Sequence, residues 1–249
     1  RAEGVSEEHI QQEFYCSFNR GVEGSYYGRL IEKAREEGRV CNVPYDTRSP
    51  VHTAFDIGYG DSTSIVFWQE VGGELRIIDF YENQGEGIAH YAKILQNKPY
   101  VYGTHYMPHD AGSGSIQTGR TLQDVAYEQG LKATVLEREN DVSVGIEAVR
   151  SMLSVAYIDQ VKCIHLIKCL ENYHKKFNEK TQSYSETPLH DWTSHAADAV
   201  RYMANARIQY GRGLGSMTKE KLNQIKMQAG VYKAPAIARP MPNQTHFMR

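Results

Sequence analysis

Long apolar runs are missing from this 249-residue chain. A bilayer-spanning helix needs about 20 consecutive apolar residues; no stretch approaches that, and no secretory h-region opens the sequence. Cysteine is sparse. Cys16, Cys41, Cys163 and Cys169 lie scattered without a C-x-x-C pair, which argues against a zinc ribbon or disulfide scaffold and fits a reducing cytosol. There is no internal repeat. A working phosphate loop is missing too. The stretch GSIQTGRT, Gly114 to Thr121, comes close, but Arg120 stands where a P-loop has lysine. A planar guanidinium is a poor substitute in that tight backbone nest. Pro108 to Ser113 also separate the stretch from the preceding apolar run, and no Walker B strand is present. ATP binding is therefore not expected here. Nothing resembles a major-groove reading element, so strong base-sequence specificity is not expected either.

Hydrophobic residues make up 41% and charged residues 23% of the chain, which places it among ordinary globular proteins. The net charge of −2 conceals an asymmetry. Residues 201–249 carry nine Lys/Arg against one Glu, a net +8, which leaves −10 on the other 200 residues. A basic tail on an acidic body suits contact with nucleic acid or an acidic partner, or simply a solvated tail.

Apolar spacing predicts helices over 7–18 and 26–37, with Gly38 as a stop, and a loop over 38–50 bracketed by Pro44 and Pro50. Three strands follow, over 51–57, 63–69 and 75–81, the last two joined by a Gly72-Gly73 turn. The period then alternates. Helix is expected over 87–96, strand over 101–107, helix over 121–129 with Thr121 and Asp124 as a capping box, strand over 132–136 and helix over 142–155. Residues 161–177 read as a short strand or turn and then a helix. A small hairpin is expected near 177–186, then a last helix from Thr193 or Ser194 to Tyr210. This order defines a mixed α/β fold: one sheet, part antiparallel and part parallel, with helices on its faces.

Three aspartates fall where chemistry gathers. Asp56 sits amid apolar neighbours on the first of the three strands. Asp110 follows the fourth, at a strand end where ligands collect in α/β sheets. Asp198 lies on the last helix, sharing a face with His195 and Tyr202 among small alanines that permit close approach to the sheet. Converging carboxylates repel and take up protons; a divalent metal with oxygen ligands, Mg²⁺ or Mn²⁺, removes the conflict. Each aspartate alone would be read as a cap or surface charge; their three contexts together favour a site.

The stretches FDIGYGDSTS (55–64), MPHDAGSGSIQTGRT (107–121) and TSHAADAVRYMA (193–204) together resemble the nuclease domain of the large terminase subunit of tailed bacteriophages, within the ribonuclease H-like superfamily. The likeness spans roughly 7–210, including the helical lead-in. It implies a metal-dependent endonuclease that cuts concatemeric viral DNA during genome packaging, using two Mg²⁺ or Mn²⁺ ions. Asp56, Asp110 and Asp198 would be the catalytic, metal-holding acids, with Asp61 and His195 as auxiliary ligands or their partners. Lys175, Lys176 and Lys180 on the hairpin, and Arg120 in the loop after Asp110, would lie near DNA phosphates. The implied organisation is a lead-in over 1–50 from an N-terminal packaging ATPase domain outside this sequence, a nuclease domain over 51–210, and a basic, flexible tail over 211–249. Double-stranded DNA, the portal protein and the small terminase subunit are the implied partners. The place of action is the cytoplasm of the infected bacterium, not the mature virion.

Two other readings use the same residues. DIGYGDSTS resembles the first phosphate loop of actin-like sugar kinases, but that fold needs a second half with its own loop, and none is found. A Holliday-junction resolvase or transposase-like nuclease would carry similar acids on a similar fold. A catalytically idle docking module is disfavoured by the intact acids.

Overall fold

The structure is a computed structural model, and it describes residues 24–58, 61–114 and 119–210. The expected helix over 7–18 and the tail from residue 211 lie outside the described residues. Helix α1 (Gly28–Glu36) opens the described chain. Gly38 follows it with φ of +70°, and its N–H reaches the Arg35 carbonyl, so the stop read from sequence is a left-handed cap. The loop expected over 38–50 contains a two-residue strand, β1 (Val40–Cys41). It is too short to carry a period, and it exists because β7 offers it a parallel edge.

Strands β2 (Val51–Asp56), β3 (Ser62–Val71) and β4 (Glu74–Gln84) form an antiparallel meander. Gly72 and Gly73 make its second turn, both at positive φ (59° and 87°), which two-residue hairpin turns require. Then come α2 (Ile88–Asn97), β5 (Tyr102–Met107), a 3₁₀ turn (His109–Gly112), α3 (Leu122–Glu128), β6 (Ala133–Val135) and α4 (Val142–Leu153). The chain continues through β7 (Tyr157–Asp159), α5 (Ile164–Asn172), the hairpin β8 (Lys175–Asn178) and β9 (Ser183–Pro188), and α6 (Ser194–Tyr210). Of the short strand or turn expected at the start of 161–177, the structure has the turn, followed by α5, and the strand β7 lies just before that range.

The seven-stranded sheet has the order β1-β7-β4-β3-β2-β5-β6, with β8-β9 as a separate ribbon. The pairs β2–β5, β5–β6, β4–β7 and β1–β7 are parallel. Alternation along the strands builds two cores. Ala54, Val66, Trp68, Ile77 and Tyr106 pack with residues of α1, α4, α5 and α6. Phe55, Ile65, Phe67, Ile78 and Met107 pack with residues of α2 and α3. One bulge breaks the alternation: Phe67 pairs with Asp79 and Trp68 with Ile77, so Ile78 is extra. The bulge shifts the phase of β4, and Phe80 joins the α6-side core. No described helix is long and apolar enough to cross a membrane. Cys163 and Cys169 are buried free thiols, as small core residues, and burial pushes the Cys169 thiol up to about 12.

Buried His105 on β5 is hydrogen-bonded through Nδ1 to the Thr53 hydroxyl at 2.8 Å. Burial, with the neighbouring His52, lowers its pKa to about 4. Between pH 6.5 and 4 the unfolded chain therefore binds the proton and the folded chain does not, so stability falls as pH falls through this window. Acidification from pH 7 to about 4.5 is expected to cost about 2–3 kcal/mol through this group. Denaturant titrations at both pH values check it: His105→Gln should show a smaller loss than the parent.

Candidate active site

Asp56 is the last residue of β2, on the sheet face covered by α6. Helix α6 comes close because the residues it buries there include Ala196, Ala197, Ala199, Ala204 and Ala206. That approach places His195 Nδ1 2.9 Å from Asp56 Oδ2. Burial raises the Asp56 pKa; the His195 hydrogen bond opposes this, and the Asp198 charge adds to it. His195 is raised in turn, first by that hydrogen bond, against its own partial burial, and further by the charges of Asp56, Asp61 and Glu82. The imidazolium is thus favoured, and it screens a carboxylate that sits poorly solvated beside another.

Asp198 lies one turn further along α6. Its Oδ1 accepts from Arg201 Nη2 at 2.9 Å and Nε at 3.2 Å. The Arg201 side chain is largely buried (12% exposed) and lies close against Gly145 of α4: a Cβ at 145 would stand 2.7 Å from Arg201 Cδ and 2.8 Å from Cγ. Alanine is ordinarily better than glycine inside a helix by about 0.5–1 kcal/mol. Here overpacking against a confined side chain costs about 1–3 kcal/mol, so Gly145→Ala is expected to lower the melting temperature and to disturb the Asp198–Arg201 pair.

Asp110 is not on the strand end itself. β5 stops at Met107, and Asp110 projects, exposed, from the 3₁₀ turn that follows. Tyr202 links it to the others. Burial lifts the phenol's pKa to about 12 against the opposing charge of Arg201, and Asp56, Asp198 and Asp110 all add to the rise. All three carboxylates are thus within electrostatic range of one phenol. Among the described residues, however, no three His, Cys, Asp or Glu side chains stand close enough to form a ready ligand cluster. The structure pairs Asp56 with His195 and Asp198 with Arg201, and leaves Asp110 exposed on the turn after β5.

Asp61 is exposed and returns toward His195 through the turn after β2. Gly58 permits that turn: a Cβ there would meet the Ser62 carbonyl at 2.8 Å and Asp61 Cβ at 2.9 Å. Glu82 was not foreseen. Asp56 pairs with Ser64 and Ser64 with Glu82 across three strands, and the Ser64 hydroxyl donates to Glu82 at 2.6 Å. The β4 bulge puts Glu82 on this face, so simple alternation along the strand could not have found it. Arg201 was legible, three residues after Asp198 on one helix.

The outlying basic residues are placed individually. Arg120 forms an ion pair with Glu128. Lys175 reaches Glu186 at 3.4 Å, while exposed Lys176 and Lys180 flank Phe177 on the hairpin. The phosphate-loop look of 114–121 is resolved by the helix that follows. Thr121 and Asp124 form the expected capping box, so a carboxylate already occupies the N-terminus of α3 where a nucleotide phosphate would sit. Hydrogen bonds from Thr121 hold that carboxyl below its usual range.

A seven-stranded mixed sheet, with an antiparallel meander followed by parallel strands and helices on its faces, is a ribonuclease H-like fold. The chain matches the family model of the terminase RNaseH-like domain over residues 53–207, more than half its length, and it belongs to that family. It is 25% identical over 205 residues to the large terminase subunit of Escherichia phage T5, covering 80% of this chain and 45% of that protein, so it spans less than half of this relative. The large terminase of a thermophilic bacteriophage superposes with a TM-score of 0.54 at 18% identity, over 68% of this chain and 42% of that one. The nuclease domain of the P22 large terminase superposes with a TM-score of 0.52 at 14% identity, over 69% and 89%. These structural likenesses establish the fold.

Proposed function

We propose that this chain is a divalent-metal-dependent endodeoxyribonuclease that cuts concatemeric viral DNA during genome packaging, with Asp56, Asp110 and Asp198 as its catalytic acids. The observation that carries the reading is the Asp56–His195 pair made where α6 packs on the end of β2, with Asp198 one turn further on, in a chain of the terminase RNaseH-like family. The donors are hard oxygens, which suit Mg²⁺ or Mn²⁺, and the raised proton affinity of Asp56 beside Asp198 marks a place where positive charge is wanted. Asp56, Asp110 and Asp198 would hold the ions, with Asp61 and His195 as auxiliary groups. Two bound ions supply Lewis acidity for water attack and for the departing 3′ oxygen. The chain's own residues do the positioning. His195 orients Asp56, Arg201 orients Asp198, and the Tyr202 phenol stays protonated at neutral pH. Exposed Lys176 and Lys180 would meet the phosphate backbone, and Arg120 would lie near the DNA path.

Double-stranded DNA is the proposed substrate. The portal protein, the small terminase subunit and an ATPase domain of the same polypeptide are the proposed partners, working in the cytoplasm of the infected host. A lead-in over 1–50, a nuclease domain over 51–210 and a basic tail over 211–249 are the proposed organisation. Supercoiled plasmid incubated with the chain tests the reading. Nicking and linearisation in Mn²⁺ or Mg²⁺, lost in EDTA and in Asp110→Ala, is the expected result. Cutting that persists in EDTA or in the Asp110 variant would overturn it.

A further inference from the structure

We propose that Trp192, backed by His165, is a stacking platform for an unpaired nucleobase of the DNA strand brought to the carboxylates; the proposal rests on the nuclease reading. Trp192 is a large apolar side chain left 55% exposed, three residues before His195. Solvent-exposed indoles are usually mobile, but this one sits at the apex of a turn bonded on both sides. Asp191 Oδ1 accepts from Thr193 N at 2.9 Å and from Thr193 Oγ1 at 2.6 Å. The Asp191 N–H donates to Ser194 Oγ at 2.9 Å, and the Ser194 N–H donates to the Asp191 carbonyl at 3.1 Å. Thr193 and Ser194 are buried (1% and 4% exposed). The backbone on the helix side of the indole is therefore held by the core.

Behind the indole stands a column of rings. Trp192 and His165 have centroids 6.2 Å apart with planes at 35°. His165 and Phe80 have centroids 6.0 Å apart, and Phe80 belongs to the core. His165 is further held by Glu82 at 3.5 Å and lies 3.6 Å from Cys169 Sγ. His165, itself half-exposed, links the core ring of Phe80 to the exposed indole through two tilted contacts. A flat aromatic ligand can stack on the indole without demanding charge, and the fixed backbone beneath it limits the entropy lost on binding. The nearby acids, Asp191 and Glu82, repel a phosphate but not a base. A base stacked on Trp192 must leave its own duplex stack, so the platform favours single-stranded or frayed DNA and tolerates any sequence.

Intrinsic fluorescence tests this directly, because the chain has two tryptophans and the other, Trp68, is buried (2% exposed). A labelled thymidine 12-mer and a duplex of equal length are titrated in EDTA and again in Ca²⁺, reading label anisotropy and tryptophan emission together. Quenching by the single strand, absent in Trp192→Phe, is expected. Trp192→Ala should weaken single-strand binding by about 5- to 100-fold, as loss of one stacked base does, with Trp192→Phe within about threefold of the parent and duplex binding unchanged. Oligonucleotide binding with unmoved emission, or with undiminished affinity in Trp192→Ala, overturns the platform and leaves the nuclease reading standing; the indole then serves a protein contact. Binding of neither oligonucleotide in either buffer overturns both.

Discussion

Asp110→Ala is expected to abolish plasmid cleavage, by at least about 10²–10³-fold, the scale lost when one group of a preorganised electrostatic site is removed, and to leave the melting temperature within about 1–2 °C of the parent. Asp110 is exposed on a short turn, and such surface substitutions change stability by about 0.5 kcal/mol or less. Lost cutting at constant stability therefore isolates chemistry from folding. Asp56 and Asp198 are less clean. Asp198→Ala would strand the buried Arg201 guanidinium that Asp198 now accepts from, so lost activity would mix with lost stability. Asp198→Asn keeps the shape and one acceptor. Asp56→Asn removes a carboxylate that burial and Asp198 already disfavour, so it should lose cutting without losing stability. Retained cleavage in any two of the Asp110→Ala, Asp56→Asn and Asp198→Asn proteins would sink the assignment.

The largest stability loss is expected far from these acids. Asp79 is buried (5% exposed) on the other sheet face, at the β4 bulge. Its Oδ2 accepts from the Tyr100 hydroxyl at 2.9 Å and from Lys98, while Oδ1 takes the Phe80 N–H at 2.9 Å. Asp79→Ala leaves an ammonium and a phenol in a space shaped for a carboxylate. Breaking one side of a buried pair typically costs about 3–5 kcal/mol, or roughly 6–20 °C in melting temperature for a domain of this size. Asp79→Asn retains an acceptor for Tyr100 and should lose less. Equal, small losses in both variants would show that the network contributes little.

Much of this was legible beforehand where one local rule acted alone. The Gly72-Gly73 turn, the Thr121–Asp124 cap and the α6 alanines follow from conformational preference and periodicity. So did the placement of Asp56 and Asp198, because an acid in an apolar strand and an acid in an alanine helix both need a partner. What stayed hidden depends on pairing between distant segments. Val40–Cys41 is a strand only because Ile158 and Asp159 lie beside it. Glu82 reaches the site only because Ile78 is extruded from the ladder. Trp192 has ring neighbours only because Phe80 and His165 come to it from distant segments.

The Asp56–His195 contact joins residues 139 apart in sequence. A ribosome that has not yet delivered α6 has made every strand of the sheet but neither His195 nor Asp198. Such an unfinished product, or a proteolytic remnant lacking the last helix, has Asp56 without the imidazole that pairs with it. The groups around Asp56 are therefore complete only when the last described helix of the fold has been made.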